Sequence, residues 1–222
     1  MNLFYDPIIA SSIKGEIPWS VTSLGYKKRK ILKSVIEKIE IDTGIPYPDV
    51  YISNTLKILI HESQIQSIIF AHLDFKKFNQ LKPIISLSLP TLIYNDKTVL
   101  TSILSHELLH YMYIISKSKT GTISSLNQIF GSTLSGSNLI DEILQINPHT
   151  LFKTKKFVML VTNLHKTLDN PLLHDFFQSQ WIEKNLPTKY FTSEKLTLTL
   201  SPLNLLNLDF PKSILSHSIF SK

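Results

Sequence analysis

The sequence contains no cysteine among its 222 residues. Disulfide bonds and thiolate metal sites are therefore excluded, and any metal ion must be held by histidine, aspartate or glutamate. No stretch approaches the roughly 18 uninterrupted apolar residues of a membrane helix. The first twenty residues also lack the basic segment and apolar run of a signal peptide. These absences, together with the reducing compartment that a cysteine-free chain suits, predict a soluble, cytoplasmic protein without a membrane span.

Arginine is nearly absent as well. Arg29 is the only one, so the formal charge of +6 comes almost entirely from lysine. The densest basic runs lie at residues 27–30 and 153–156. Such runs are usually solvated faces of helices, but they would also suit contact with nucleic acid or an acidic lipid. The use of lysine argues against specific recognition of bases, which favours the guanidinium fork of arginine.

Hydrophobic periodicity gives a coarse map of the first hundred residues. Residues 1–19 are predicted to be irregular, and residues 20–40 to form a helix that carries its apolar side chains at helical spacing. Three short segments rich in Ile, Val, Leu and Phe then predict strands at Val50–Ser53, Ile65–Leu73 and Pro83–Leu89.

A helix at residues 97–116 follows, with Asn95 or Asp96 as its N-cap. It is apolar on nearly every side, which is typical of a helix buried in the middle of a domain.

The remainder of the chain differs in character. Residues 117–137 are rich in Ser, Gly and Lys and are predicted to form a mobile loop, because long loops in compact domains are usually functional or mobile. Residues 138–222 are predicted to form a mainly helical C-terminal subdomain that ends in a strand and a tail. We therefore expect an α+β fold in which residues 1–116 hold a small mixed β-sheet, a backing helix and the buried helix.

The buried helix carries three residues whose spacing is typical of a metal site. His106 and His110 are four residues apart, so their imidazoles lie on one face, one turn apart, and both can reach a single ion. Glu107 is rotated by about 100° from His106, so it can lie beside the ion and take a proton from water. Burying three ionisable groups together is costly unless they share a partner such as a metal ion.

Residues 105–111, Ser-His-Glu-Leu-Leu-His-Tyr, resemble the active-site helix of the zincin metallopeptidases. The resemblance covers residues 83–116, and it implies a catalytic zinc ion, a water molecule activated by Glu107, and hydrolysis of peptide bonds. It also implies that an extended substrate lies along an edge strand ahead of this helix, for which Pro83–Leu89 and Ile65–Leu73 are the candidates.

The third zinc ligand depends on the subfamily. The metzincin pattern requires Gly at position 113 and His at position 116, where this chain has Tyr113 and Ser116. The gluzincin pattern, a glutamate on a downstream helix, has Glu142 and Asp141 as its candidates. If Asn138 caps that helix, Asp141 falls in the first turn, where a carboxylate satisfies free N–H groups, whereas Glu142 borders the apolar side. Glu142 is the predicted ligand, and Asp141, His149 or another histidine remain alternatives.

Peptide hydrolysis also needs a group that stabilises the oxyanion. Tyr113 is the preferred candidate because it lies one turn past His110, with Tyr111, His149 and His165 as alternatives. Ordinary packing is nevertheless the favoured interpretation of a tyrosine at that position.

The sequence thus predicts a zinc-dependent metallopeptidase, gluzincin-like, that acts on a peptide or protein substrate with Glu107 as general base. Two other functions stay open. One is an inactive metal-bearing scaffold or binding module, and the other is a peptidase that acts on proteins bound to nucleic acid and uses the basic runs as an anchor.

Overall fold

A computed structural model of the chain describes residues 1–61, 64–77, 81–120, 146–168, 171–192 and 214. It confirms the predicted α+β class, with helices packed against two β-sheets. The strands are β1 (Leu3–Phe4), β2 (Val50–Ser53), β3 (Leu56–His61), β4 (Gln64–Ile69), β5 (Ala71–Lys77), β6 (Leu81–Ser88) and β7 (Thr188–Thr192). One sheet has the order β1-β2-β6-β5, and the other has the order β4-β3-β7.

The four-stranded sheet is mixed. Strands β1, β2 and β6 run parallel, whereas β5 is antiparallel to β6 and forms one end of the sheet as described. The register places Val50 and Ile85 beside Leu73 on one face. Because side chains alternate along a strand, the other face carries the row Tyr51, Ser86 and His72. The first face contributes to the core through residues such as Val50, Ile52, Ile85 and Leu87.

The helices are α1 (Asp6–Ile13), α2 (Trp19–Lys27), α3 (Arg29–Thr43), α4 (Leu89–Tyr94), α5 (Lys97–Thr120), α6 (Pro148–Leu151), α7 (Lys155–Thr162), α8 (Leu164–Leu168) and α9 (Pro171–Phe177). A π-helical turn at Gln178–Ile182 extends α9. Helix α3 ends at Gly44, whose left-handed φ of 76° suits a residue without Cβ. Helices α3 and α7, together with strand β5, pack against α5.

The structure differs from the predicted elements at several points. Residues 1–19 are not irregular, because they contain β1 and α1 and the first residue of α2. The single helix predicted at residues 20–40 is two helices that meet at Lys28. The strand predicted at Ile65–Leu73 is divided at Phe70 into β4 and β5.

Helix α5 agrees with its prediction in burial, and Asp96 is the one of its two candidate N-caps that caps it. The Asp96 carboxylate accepts hydrogen bonds from the backbone N–H groups of Thr98 (2.7 Å) and Val99 (2.9 Å) and so caps the helix. The helix is buried on most sides, as expected, and extends to Thr120, four residues beyond the predicted end. None of the helices in the described ranges is long and apolar enough to cross a membrane.

Candidate metal centre

The centre of α5 brings together three side chains that can bind a metal ion. His106, Glu107 and His110 each offer one ligand atom, and these atoms all lie within 4.8 Å of one another. They form the potential metal-binding cluster found among the described residues. His106 and Glu107 are each 6% exposed, whereas His110 is half-buried. The group is therefore enclosed on the side of His106 and accessible on the side of His110.

The two imidazole rings approach each other through their Nε2 atoms. The Nε2 atoms of His106 and His110 are 2.9 Å apart, and the rings are nearly perpendicular, at 88°. Two Nε2–H groups cannot point at each other over this distance, so at least one ring presents a lone pair. A lone pair on neutral imidazole is what a metal ion binds.

The donor set and its spacing fit a zinc ion. A tetrahedral zinc ion with Zn–N bonds of about 2.05 Å would separate the two nitrogens by about 3.3 Å. The 2.9 Å separation of the two Nε2 atoms needs to widen by only about 0.4 Å to reach that value. Two imidazoles that can reach one ion, in a chain without cysteine, are typical ligands of catalytic zinc. The Glu107 carboxylate beside them can take a proton from a water molecule bound to such an ion.

The sequence folds this way locally because α5 is made of strong apolar helix-formers around the three polar residues. Leu104, Leu108 and Leu109 are fully buried, and Tyr111 and Met112 are buried as well. Their packing fixes the rotation of the helix about its axis, and that rotation determines where the imidazoles and the carboxylate point. The position of the cluster therefore follows from core packing.

Tyr47 is a neighbour of this cluster that the sequence analysis did not identify. It lies between Pro46 and Pro48, before β2, and is 2% exposed. Its hydroxyl donates a 2.6 Å hydrogen bond to the carbonyl of Leu104, and its backbone N–H donates to Glu40 Oε1 at 2.8 Å. Burial, and secondly the negative charge of Glu107, raise the pKa of Tyr47 well above its usual value. The phenol is therefore a neutral donor on the Glu107 side of α5.

No feature of the sequence predicts this neighbour, because Tyr47 is 57 positions from its partner Leu104. A tyrosine between two prolines suggests only a rigid extended segment.

The structure describes some of the other predicted site residues but not all of them. Tyr113 lies on α5 one turn after His110 and is half-buried, and burial raises its pKa. His149 lies in α6, is exposed, and is not part of the cluster of His106, Glu107 and His110. Glu142 and Asp141, like the whole segment 121–145, lie outside the described residues.

Two further segments named from the sequence also fall outside what the structure describes. The predicted loop at residues 117–137 is described only as far as Thr120, where α5 ends. The side chain of His165 is likewise outside the described set.

Comparisons of the chain with protein-family models, with curated proteins and with solved structures gave no match.

Proposed function

We propose that the protein is a zinc-dependent peptidase of the zincin class, in which His106 and His110 bind zinc and Glu107 is the general base. One observation carries the proposal: the ligand atoms of these three residues lie within 4.8 Å of one another on a buried helix. Zinc fits this group because a cation offsets the cost of burying a carboxylate and accepts the imidazole lone pairs.

The three side chains divide the chemistry between them. When bound, zinc supplies a Lewis acid that lowers the pKa of a water molecule and polarises the scissile carbonyl. The Glu107 carboxylate takes the proton from the attacking water and then delivers it to the nitrogen of the leaving amine. The two imidazoles would hold the zinc ion beside Glu107. Tyr113 is proposed to donate a hydrogen bond to the developing oxyanion.

The proposed third ligand is Glu142. The sequence supports it over Asp141 because Glu142 borders the apolar side of its predicted helix, whereas Asp141 falls in the first turn. Three protein ligands and one open position are the usual arrangement of catalytic zinc.

The sheet order supports β5 over β6 as the proposed binding strand for an extended peptide substrate. Strand β6 is hydrogen-bonded on both sides, to β2 and β5, so the candidate Pro83–Leu89 is not an edge strand. Strand β5, which contains the end of the other candidate, Ile65–Leu73, is the outer strand of the four-stranded sheet as described and packs against α5. A peptide added to β5 would gain main-chain hydrogen bonds beside the helix that carries the cluster.

The experiment that tests the proposal compares the wild type with Glu107→Gln in a quenched-fluorescence peptide hydrolysis assay. Glu107 is not proposed as a ligand, so the variant keeps zinc and its fold. It loses about 10²–10⁴-fold in kcat, which is the usual contribution of a general base. Glu37→Gln, which makes the same chemical change at an exposed position of α3, is the matched control. If Glu107→Gln hydrolyses peptides at the wild-type rate, Glu107 is not the base.

A further inference from the structure

A second group of ionisable side chains, different from the cluster on α5, lies where strand β5 contacts strand β3 of the other sheet. Lys57 on β3 and Lys189 on β7 are aligned partners in a parallel pair of strands. The Lys57 Nζ atom is 2.7 Å from Nε2 of His72, which lies on β5 of the other sheet. Lys76 is four residues after His72 and so lies on the same face of β5. We call Lys57, His72, Lys76 and Lys189 the lysine–histidine cluster.

The His72 ring is a neutral acceptor in this cluster. Burial lowers its pKa to about 4, and the positive charge of Lys57 contributes in the same direction. Burial also lowers the pKa of Lys57. The short contact is therefore a hydrogen bond from the Lys57 ammonium to the Nε2 lone pair, which leaves the ring proton on Nδ1.

The cluster has more positive than negative charge. Among the described residues, no carboxylate lies within 4 Å of the ammonium groups of Lys57, Lys76 or Lys189. The Asp74 carboxylate acts on Lys57 and His72 at longer range and accepts a hydrogen bond from the backbone N–H of Phe75. Three ammonium groups and one carboxylate give a local charge of +2.

Aromatic rings hold the lysine side chains at this junction. The Nζ atoms of Lys57 and Lys189 lie 5.9 and 5.0 Å from the centre of the same ring, that of Phe191. The Nζ atom of Lys76 lies 5.4 Å from the ring centre of Tyr51. These contacts position the cations but do not neutralise them.

Like charges at aligned positions of neighbouring strands are destabilising. The alignment of Lys57 with Lys189 beside a neutral histidine is explained if an anion lies among them. Phosphate suits such a site because it carries two charges and several acceptor oxygens, and lysine binds it as a point charge. We propose that the lysine–histidine cluster binds the terminal phosphate group of a ligand. This site is independent of the peptidase proposal.

The test is a titration of the full-length protein with inorganic phosphate at pH 7.5, followed by NMR of the His72 ring. The His72 signal is assigned by its loss in His72→Gln. We expect a saturable shift in the wild type and at least tenfold weaker binding in Lys57→Gln and Lys189→Gln. Lys189→Arg, which keeps the charge, should bind within a few-fold of the wild type. Lys155→Gln, at an exposed position on α7, is the control and should bind like the wild type.

Two control titrations show whether the site is specific for phosphate. Sodium chloride at matched ionic strength should not reproduce the shift, and dimethyl phosphate, a singly charged diester like a nucleic-acid or lipid backbone, should bind at least tenfold more weakly. The proposal is overturned if chloride gives the same shift, if Lys189→Gln binds phosphate like the wild type, or if the diester binds as well as inorganic phosphate. Lys189 is exposed, so its variants keep the test decisive even if Lys57→Gln fails to fold.

Discussion

The substitution Tyr47→Phe tests whether the segment before β2 stabilises the helix that carries the cluster. It removes one hydroxyl group that is buried and donates to the Leu104 carbonyl at 2.6 Å. The pKa of Tyr47 is raised well above its usual value by burial and by the charge of Glu107, so the hydroxyl remains a donor at every pH at which the protein is handled. The change therefore removes a hydrogen bond at all accessible pH values.

The size of the effect follows from the two atoms involved. A buried hydrogen bond contributes about 0.5–1.5 kcal/mol, and a buried acceptor that loses its partner costs about 1–3 kcal/mol. The Leu104 carbonyl lies within α5, where the backbone N–H four residues later is a second donor, so the expected loss is near the lower end, about 1–2 kcal/mol. For a chain of this length, each kcal/mol lowers Tm by roughly 2–4 °C.

Thermal and urea unfolding measure this loss. Tyr190→Phe is the control, because Tyr190 is 48% exposed and its substitution should change stability by less than about 0.5 kcal/mol. If Tyr47→Phe is as stable as Tyr190→Phe, the contact with Leu104 does not contribute to stability, and the account of how α5 is held is wrong.

Three other predictions concern the N-cap of α5, the third zinc ligand and His72; the second of them rests on the sequence alone. Asp96→Ala, which removes the N-cap of α5, should cost about 0.5–2 kcal/mol in urea unfolding, and Asp96→Asn should restore most of it. Glu142→Ala should lose zinc and activity together, whereas Asp141→Ala should keep both and lose only about 0.3–1 kcal/mol of stability; the opposite pattern would identify Asp141 as the ligand. The pKa of His72 is about 4 in the folded state, against 6.5 for an unperturbed histidine, which represents the unfolded state. Between pH 4 and pH 6.5 the unfolded state therefore binds more protons than the folded state. The free energy of unfolding should therefore fall as pH decreases from about 6.5 to 4, by at most about 1.4 kcal/mol per pH unit from this group, and His72→Gln should reduce that slope.

Local patterns were sufficient to predict the elements whose residues specify them directly. Val50–Ser53 was predicted with the observed bounds, and α5 was predicted with Asp96 as one of its two candidate N-caps. Both depend on signals that lie within one segment. The proximity of His106, Glu107 and His110 also needs only the geometry of one helix. These three residues are therefore the part of the candidate site that the sequence determines by itself.

The rest depends on contacts between distant segments. The separation of β4 from β5 at Phe70 could not be predicted, because residues 65–73 contain no Gly, Pro, Asn or Asp that would signal a break. Only the pairing of these residues with β3 and β6 distinguishes the two strands. The contact between Tyr47 and Leu104 joins a loop to a helix, and the lysine–histidine cluster joins β3, β5 and β7. Neither arrangement has a spacing within the sequence that would predict it.

The most direct test of the central claim is the zinc content of the protein purified without chelators, measured by elemental analysis beside His110→Ala. We predict about one zinc ion per chain in the wild type and a severe loss in His110→Ala. His174→Ala should retain zinc, because the His174 ring instead contacts the carbonyl of Leu168 at 3.0 Å. If the wild type contains no zinc and takes none up on titration, or if His110→Ala binds zinc as tightly as the wild type, then the cluster of His106, Glu107 and His110 is not a zinc site.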